Sequence, residues 1–158
     1  MKLPAVFDCM IFLQGLVKER GFAVDCVELV EKDEIQLFVS EEILAEIADV
    51  LTRPKLREKF SLLTVERVER LLEMLRQKAI LIKNVPEIFS YPRDPKDEKY
   101  VNLAVEAKAA YIVSRDKDLL DLMVDFTDEA KEFRQKFRLL KVIEPMELLQ
   151  IIENREQK

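Results

Sequence analysis

Asp8 and Asp116 each stand at the mouth of a short apolar run, Ala5-Val6-Phe7 before the one and Tyr111-Ile112-Val113-Ser114-Arg115 before the other. In a parallel α/β sheet, ligands bind beyond the carboxyl ends of the strands, so acids at these positions are candidates for chemistry. The chain contains no histidine, which removes the commonest side-chain acid/base and the commonest metal ligand and leaves the work to carboxylates. Clusters of carboxylates hold hard divalent cations such as Mg²⁺ or Mn²⁺.

Further acids fall where they could join these two. Asp8 is the one charged residue between Leu3 and Leu13. Burying a lone carboxylate costs several kcal/mol in order of magnitude, so it needs a compensating partner; the plainer role is a cap on the next helix. Glu46 lies on a helix whose apolar stripe is Ile43, Leu44, Ile47, Val50 and Leu51. At about 100° per residue it falls roughly 40° outside Val50 and can reach the edge of a cleft, whereas Glu42 and Asp49 point further away. Asp94, Asp97 and Glu98 are three acids within five residues of a proline-bounded loop that feeds a helix. An N-terminal cap explains one of them. In Ser114-Arg115-Asp116-Lys117-Asp118, Asp118 reads as the cap for Leu119-Leu120, and Asp116 lies nearer the strand end.

The elements that must position these acids alternate between strand and helix. Strands are expected at 5–8, Ile35–Val39, 79–83, 111–114 and 139–143. Helices are expected through Phe12–Leu16, from Ala23 to Lys32, from the Ser40 cap to about Leu51, from the Thr64 cap to Lys78, from Asp97 onward, and from Asp118 to Val124. Pro145 opens a terminal helix, and 128–137 is amphipathic, helix or ordered loop. This order implies an α/β fold, a mostly parallel sheet covered on both faces.

The length of 158 residues suits one domain, expected over 1–153 with a disordered tail at 154–158. The two cysteines, Cys9 and Cys26, can neither frame a disulfide scaffold nor complete a four-ligand zinc site without histidine. They read as small buried hydrophobes. Only two glycines occur, so no Gly-rich phosphate loop exists. Apolar stretches fall short of a bilayer span and no signal-peptide pattern opens the chain, which gives the expectation of a cytoplasmic, non-membrane protein. The net charge of −5 argues against a general nucleic-acid coat protein but not against a nuclease, because bound metal ions reverse the local field.

Four segments in order, Val6-Phe7-Asp8, Val39–Ile47 with Val50–Lys55, Arg93–Tyr100 and Tyr111–Leu120, resemble a PIN-domain ribonuclease of the VapC-related branch, the toxin components of toxin–antitoxin pairs. The resemblance covers nearly the whole chain. It implies a three-layer α/β/α domain and metal-binding catalytic acids at Asp8, Glu46, Asp97 and Asp116. Asp94, Glu98, Ser114 and Asp118 are additional candidates, with Glu98 competing with Asp97 for one ligand position. The implied activity is Mg²⁺- or Mn²⁺-dependent hydrolysis of phosphodiester bonds in single-stranded or structured RNA. An antitoxin protein and a homodimer are the implied partners.

Mutual repulsion among the metal-free acids should raise some of their pKa values. Arg93, Lys96, Lys99 and Arg115 lie beside the acids as phosphate contacts, Arg115 and Lys96 foremost for RNA. The family often carries a polar Thr-Asn pair after its first aspartate, where this chain has Cys9-Met10. That departure supports an alternative reading as a PIN-like binding module with weak or no catalysis. An aspartyl-phosphate phosphatase would need an acid at position 10, which is Met10, and a response-regulator receiver would need paired acids near the first strand. The apolar Leu148, Leu149, Ile151 and Ile152 of the terminal helix are expected to pack on the domain's own core, with a dimer contact as the other use.

Overall fold

In a computed structural model, which describes residues 1–156, the chain forms a single five-stranded parallel sheet. The strands are β1 (Leu3–Phe7), β2 (Ile35–Val39), β3 (Ile80–Leu81), β4 (Tyr111–Val113) and β5 (Lys141–Ile143). Their spatial order is β3-β2-β1-β4-β5. The helices are α1 (Cys9–Val17), α2 (Phe22–Glu31), α3 (Glu41–Leu51), α4 (Pro54–Lys59), α5 (Val65–Lys78), α6 (Glu98–Ala107), α7 (Lys117–Leu120), α8 (Asp128–Lys136) and α9 (Pro145–Glu156).

The topology follows from the connections. From β1 the chain steps outward through β2 to β3, then returns to pair β4 with the other side of β1, in register Phe7↔Val113. Parallel crossovers are right-handed, so connections that run in opposite directions along the sheet put their helices on opposite faces. Helix α6 therefore covers one face, across β1, β2 and β4, while α2 lies against β2 on the other and packs on α1 and α9. This is the three-layer α/β/α arrangement. Central strands covered on both faces are apolar without interruption, and Ala5, Val6, Phe7, Ile112 and Val113 are all buried.

Local signals account for most boundaries. Ser40 and Thr64 cap α3 and α5, their hydroxyls accepting from Ile43 N and Arg67 N. Gly15 lets α1 approach α2 closely, since a Cβ there would lie 3.0 Å from a Val27 methyl.

Several expectations need correction. The third strand is two residues long, because it is an edge with its side chains exposed and only Phe38 and Val39 to pair with. Helix α6 begins at Glu98, after a 3₁₀ turn over Pro95–Asp97. The Asp118–Val124 helix is instead α7 followed by a 3₁₀ turn over Asp121–Met123, and its cap is Asp116 rather than Asp118. The segment after Thr127 is a helix, and α4 was not foreseen. Helix α9 continues through Asn154 and Arg155 to Glu156, where a disordered tail was expected. The rest of that tail, positions 157–158, lies outside the described residues. Leu148 and Ile152 are buried, as a terminal helix packed on its own core requires. Among the described residues no helix is long and apolar enough to cross a membrane.

Candidate active site

The sheet order reverses between β1 and β4, and the crevice beyond their carboxyl ends is where such folds bind ligands. Asp8 leaves β1 there, its backbone N–H held by Val113 O at 3.1 Å. Ser114 and Asp116 leave β4 beside it. Ser114 is fully buried: its hydroxyl donates to one oxygen of Asp8 and accepts from Asp116 N at 2.9 Å, tying the two strand ends together. Met10 N donates to the other Asp8 oxygen at 2.7 Å. Both Asp8 oxygens are thus held by Ser114 and by backbone, with no side chain at position 9 or 10 taking part.

Asp97 comes from a different direction, from the 3₁₀ turn ahead of α6. One carboxylate oxygen from each of Asp94, Asp97, Asp116 and Asp118 lies within 4.8 Å of the others. Asp97 is the buried member, and its Oδ2 has no hydrogen-bond partner at all. An orphaned buried acceptor costs free energy comparable to a lost hydrogen bond, and here it faces like charge as well. Burial first, then Asp116 and Asp94, push the Asp97 carboxyl up to about 8. Asp8 is also raised, by burial and then by Asp116 and Glu46, against the lowering effect of Ser114 and Met10. Mutual repulsion contributes as expected from sequence, but desolvation is the larger cause.

The structure brings Asp97 and Asp116 together with Asp94 and Asp118; Asp8 lies outside that cluster, joined to Asp116 through the Ser114 hydroxyl and adding like charge near Asp97. Glu46 is set apart. Although burial pushes its carboxyl up, Lys99 together with hydrogen bonds from Tyr100 and Cys9 holds it below the ordinary range, against the expectation for a repelled acid. The Lys99 ammonium lies 2.6 Å from Glu46 Oε2, and the Tyr100 hydroxyl donates to Oε1 while accepting from Cys9 N at 3.2 Å. The Glu98 carboxylate is spent elsewhere: it accepts from Tyr91 N at 2.8 Å. Of the two competing neighbours, only Asp97 faces the acidic ring.

The loop carrying Asp94 is fastened at several points. Phe89 and Tyr91 are buried, Phe89 packing edge-on against Phe133 of α8 and Phe137 just beyond its end, and the Tyr91 hydroxyl donates to Asp118 O at 2.7 Å. Buried Asn102 accepts from Ile88 N and Phe89 N at 3.0 and 2.8 Å. Asn102→Ala would strand both donors, so the variant is expected to lose about 2–4 kcal/mol in urea unfolding; a loss under about 0.5 kcal/mol would mean that the tether is not made in solution.

Arg93, expected from sequence among the phosphate contacts, forks into Asp118, Asp121 and Asp125 at 2.7, 2.6 and 3.1 Å. It is committed to holding Asp118 in the ring. Lys96 and Arg115 are exposed. A groove of about 510 Å³ is lined by Ser40, Glu41, Glu42, Lys83, Lys96 and Lys99 among others, and none of the clustered acids lines it. Sequence reasoning gave Tyr100 and Asn102 no role, because both act across α6 on partners distant in the chain. Cys9 and Cys26 are free and buried, their thiols pushed up to about 12 by burial.

A buried carboxylate without a partner inside a ring of acids is chemically incomplete; it calls for a proton or a cation. The donor set is all oxygen and all anionic, which fits a hard divalent ion. The doubly wound sheet and its acidic crevice define an α/β domain with a candidate metal centre. Residues 4–118 match the PIN domain, and the chain belongs to that family. It is 30% identical over 153 residues to "Uncharacterized protein MJ1680" of Methanocaldococcus jannaschii, an alignment that covers 97% of this chain and 94% of that protein. PIN domains are generally metal-dependent nucleases, and the acidic cluster described above fits that class.

Proposed function

We propose that this chain is a Mg²⁺- or Mn²⁺-dependent endoribonuclease whose catalytic and metal-binding acids are Asp8, Asp97 and Asp116, with Glu46 alongside. The observation that carries the reading is Asp97: its Oδ2 is buried and unpartnered among three other acids. Asp94 and Asp118 complete the ring and limit which cations fit. A divalent ion held there supplies Lewis acidity toward a phosphodiester and a water acidified toward neutral pH.

The chain's own groups do the remaining work. Ser114 fixes the Asp8 carboxylate on one side, and Met10 N fixes it on the other, so Asp8 presents a set orientation without any side-chain help from Cys9-Met10. Burial and the carboxylates of Asp116 and Asp94 favour the protonated form of Asp97 in the metal-free protein, and that proton would be given up when a cation is held. Lys96 and Arg115, exposed and adjacent in sequence to Asp97 and Asp116, would bind the phosphates that flank the cut, although Arg115 also borders a small cavity at the start of α2. The chain's negative total charge makes that electrostatic contribution local, so RNA affinity should fall with salt along a shallow slope of about one or two counterions.

The test is cleavage of a labelled single-stranded RNA and of a hairpin, with Mg²⁺, Mn²⁺ or EDTA, in parallel with thermal melting. The expected result is cleavage that stops in EDTA, returns with either metal and is accompanied by a higher melting temperature. If neither metal raises the melting temperature nor supports cleavage, the acids serve a binding module.

The resemblance to VapC-related proteins extends the proposal to a toxin role. An antitoxin protein covering this acidic crevice would then restore growth arrested by expression of the chain, and self-association would appear in sedimentation at micromolar concentration.

A further inference from the structure

Lys99 reaches the carboxylate of Glu46 from within the fold. It sits on α6 two residues after Asp97, and its side chain is only 13% exposed. Lysines are seldom so buried unless paired. Here the ammonium has three anchors: Glu46 Oε2 at 2.6 Å, the carbonyl of Lys96 at 2.6 Å, and the face of the Tyr100 ring at 5.0 Å. Tyr100 in turn donates to the second oxygen of Glu46. Both oxygens of Glu46 are therefore held by neighbouring residues of α6, across a separation of more than fifty positions in the chain. Asp97 shows the opposite condition, with an oxygen that nothing holds.

Resting on the metal-nuclease reading above, we propose that Lys99 is a positioning residue of the metal centre. It pins Glu46 beside Asp8, offsets one negative charge of the site, and keeps Glu46 from ligating the cation directly. Asp97 and its carboxylate neighbours would hold the cation, and Glu46, kept off it, would be left to orient water. The arrangement sets the site's charge. Without Lys99, Glu46 would add its full negative charge to those of the neighbouring carboxylates facing a cation, which favours tight, static binding. With the ammonium in place the site holds its ion less tightly, and one carboxylate stays available to orient water.

The sign of this effect makes it testable without any turnover. Free Mn²⁺ is followed by electron paramagnetic resonance during titration of the full chain. Lys99→Met keeps an unbranched side chain of similar reach and removes the charge that lies over the Tyr100 ring, and it is expected to bind Mn²⁺ roughly tenfold more tightly than the native protein. Glu46→Gln alone should change affinity by less than about threefold, while adding Glu46→Gln to Lys99→Met should remove most of the gain. Lys99→Arg retains the charge and should stay within about threefold of the native affinity.

A gain in affinity is not something a loosened fold produces, so it separates positioning from mere packing. Unchanged or weaker binding in Lys99→Met overturns the proposal, as does a gain that survives Glu46→Gln. Asp97→Asn is the control on the underlying reading. If it binds Mn²⁺ as well as the native chain, or if the native chain binds none, the metal centre itself is misplaced and the role of Lys99 falls with it. If Asp97→Asn weakens binding while Lys99→Met changes nothing, only the role of Lys99 is lost.

Discussion

Asp97→Asn is expected to lower kcat/KM for metal-dependent RNA cleavage by roughly 10³-fold and, in the same protein, to raise the stability of the metal-free fold at pH 8. The two signs are opposite because one side chain is asked for two incompatible things. For binding a cation it must be ionised, buried and unpartnered. For folding, that condition is a penalty: the carboxyl is pushed up to about 8 by burial and by Asp116 and Asp94. An amide of the same shape carries no charge to desolvate and can donate to a neighbouring carboxylate. The gain should be about 1–3 kcal/mol by urea unfolding in EDTA at pH 8. A variant that kept its cleavage activity, or that lost stability under those conditions, would remove Asp97 from the centre of the site.

The second large effect joins metal and pH. In the folded, metal-free protein Asp97 is raised from an ordinary 3.8 to about 8, and Asp8 is raised as well. Between those limits the folded state binds more protons than the unfolded chain, so stability falls as pH rises. It is full below about pH 4 and lowest above about pH 8. Glu46, lowered by Lys99, has the opposite sign, but its contribution is lost only as pH falls below the ordinary glutamate range, so it does not offset the slope above pH 5. The melting temperature in EDTA should therefore decline from pH 5 to pH 8.

Mn²⁺ must displace the Asp97 proton, and its affinity should rise up to about tenfold per pH unit over the same window. At a hundred times its Kd the ion adds about 2.7 kcal/mol. Melting curves with and without Mn²⁺ should accordingly diverge with rising pH, most widely at pH 8. Parallel curves would mean that the ion binds without displacing a proton from these acids.

The legible and illegible parts of the chain divide by how local their physics is. The second strand, Ile35–Val39, and the helix capped by Ser40 were readable to the residue, because alternation, a hydroxyl cap and an apolar stripe all lie within a dozen positions. The short helix Pro54–Lys59 was missed: it is one and a half turns with no buried residue, so it has no stripe to read. Asp118 was mistaken for the cap because Asp-Leu-Leu looks like a helix start. The carboxylate of Asp116 takes that N–H, and Asp118 goes to Arg93. Asp8 and Asp116 could be placed at the crevice from the ends of two apolar runs. The neutralisation of Glu46 could not, since it depends on α3 meeting α6 and on a lysine that sequence alone assigned to phosphate.

The pairing of the first strand with the fourth has a consequence in time. Phe7 meets Val113 and Asp8 meets Ser114 only after more than a hundred intervening residues have been made, and contacts of such sequence separation form late and slowly. While the chain is being synthesised, the part up to Leu81 can lay β1, β2 and β3 side by side but has no Asp97 and no Asp116 to place beyond them. The acidic crevice therefore arrives in one step, when the returning half docks. A newborn chain attached to its own messenger carries no assembled centre until nearly three quarters of it exists, a delay set by strand order alone.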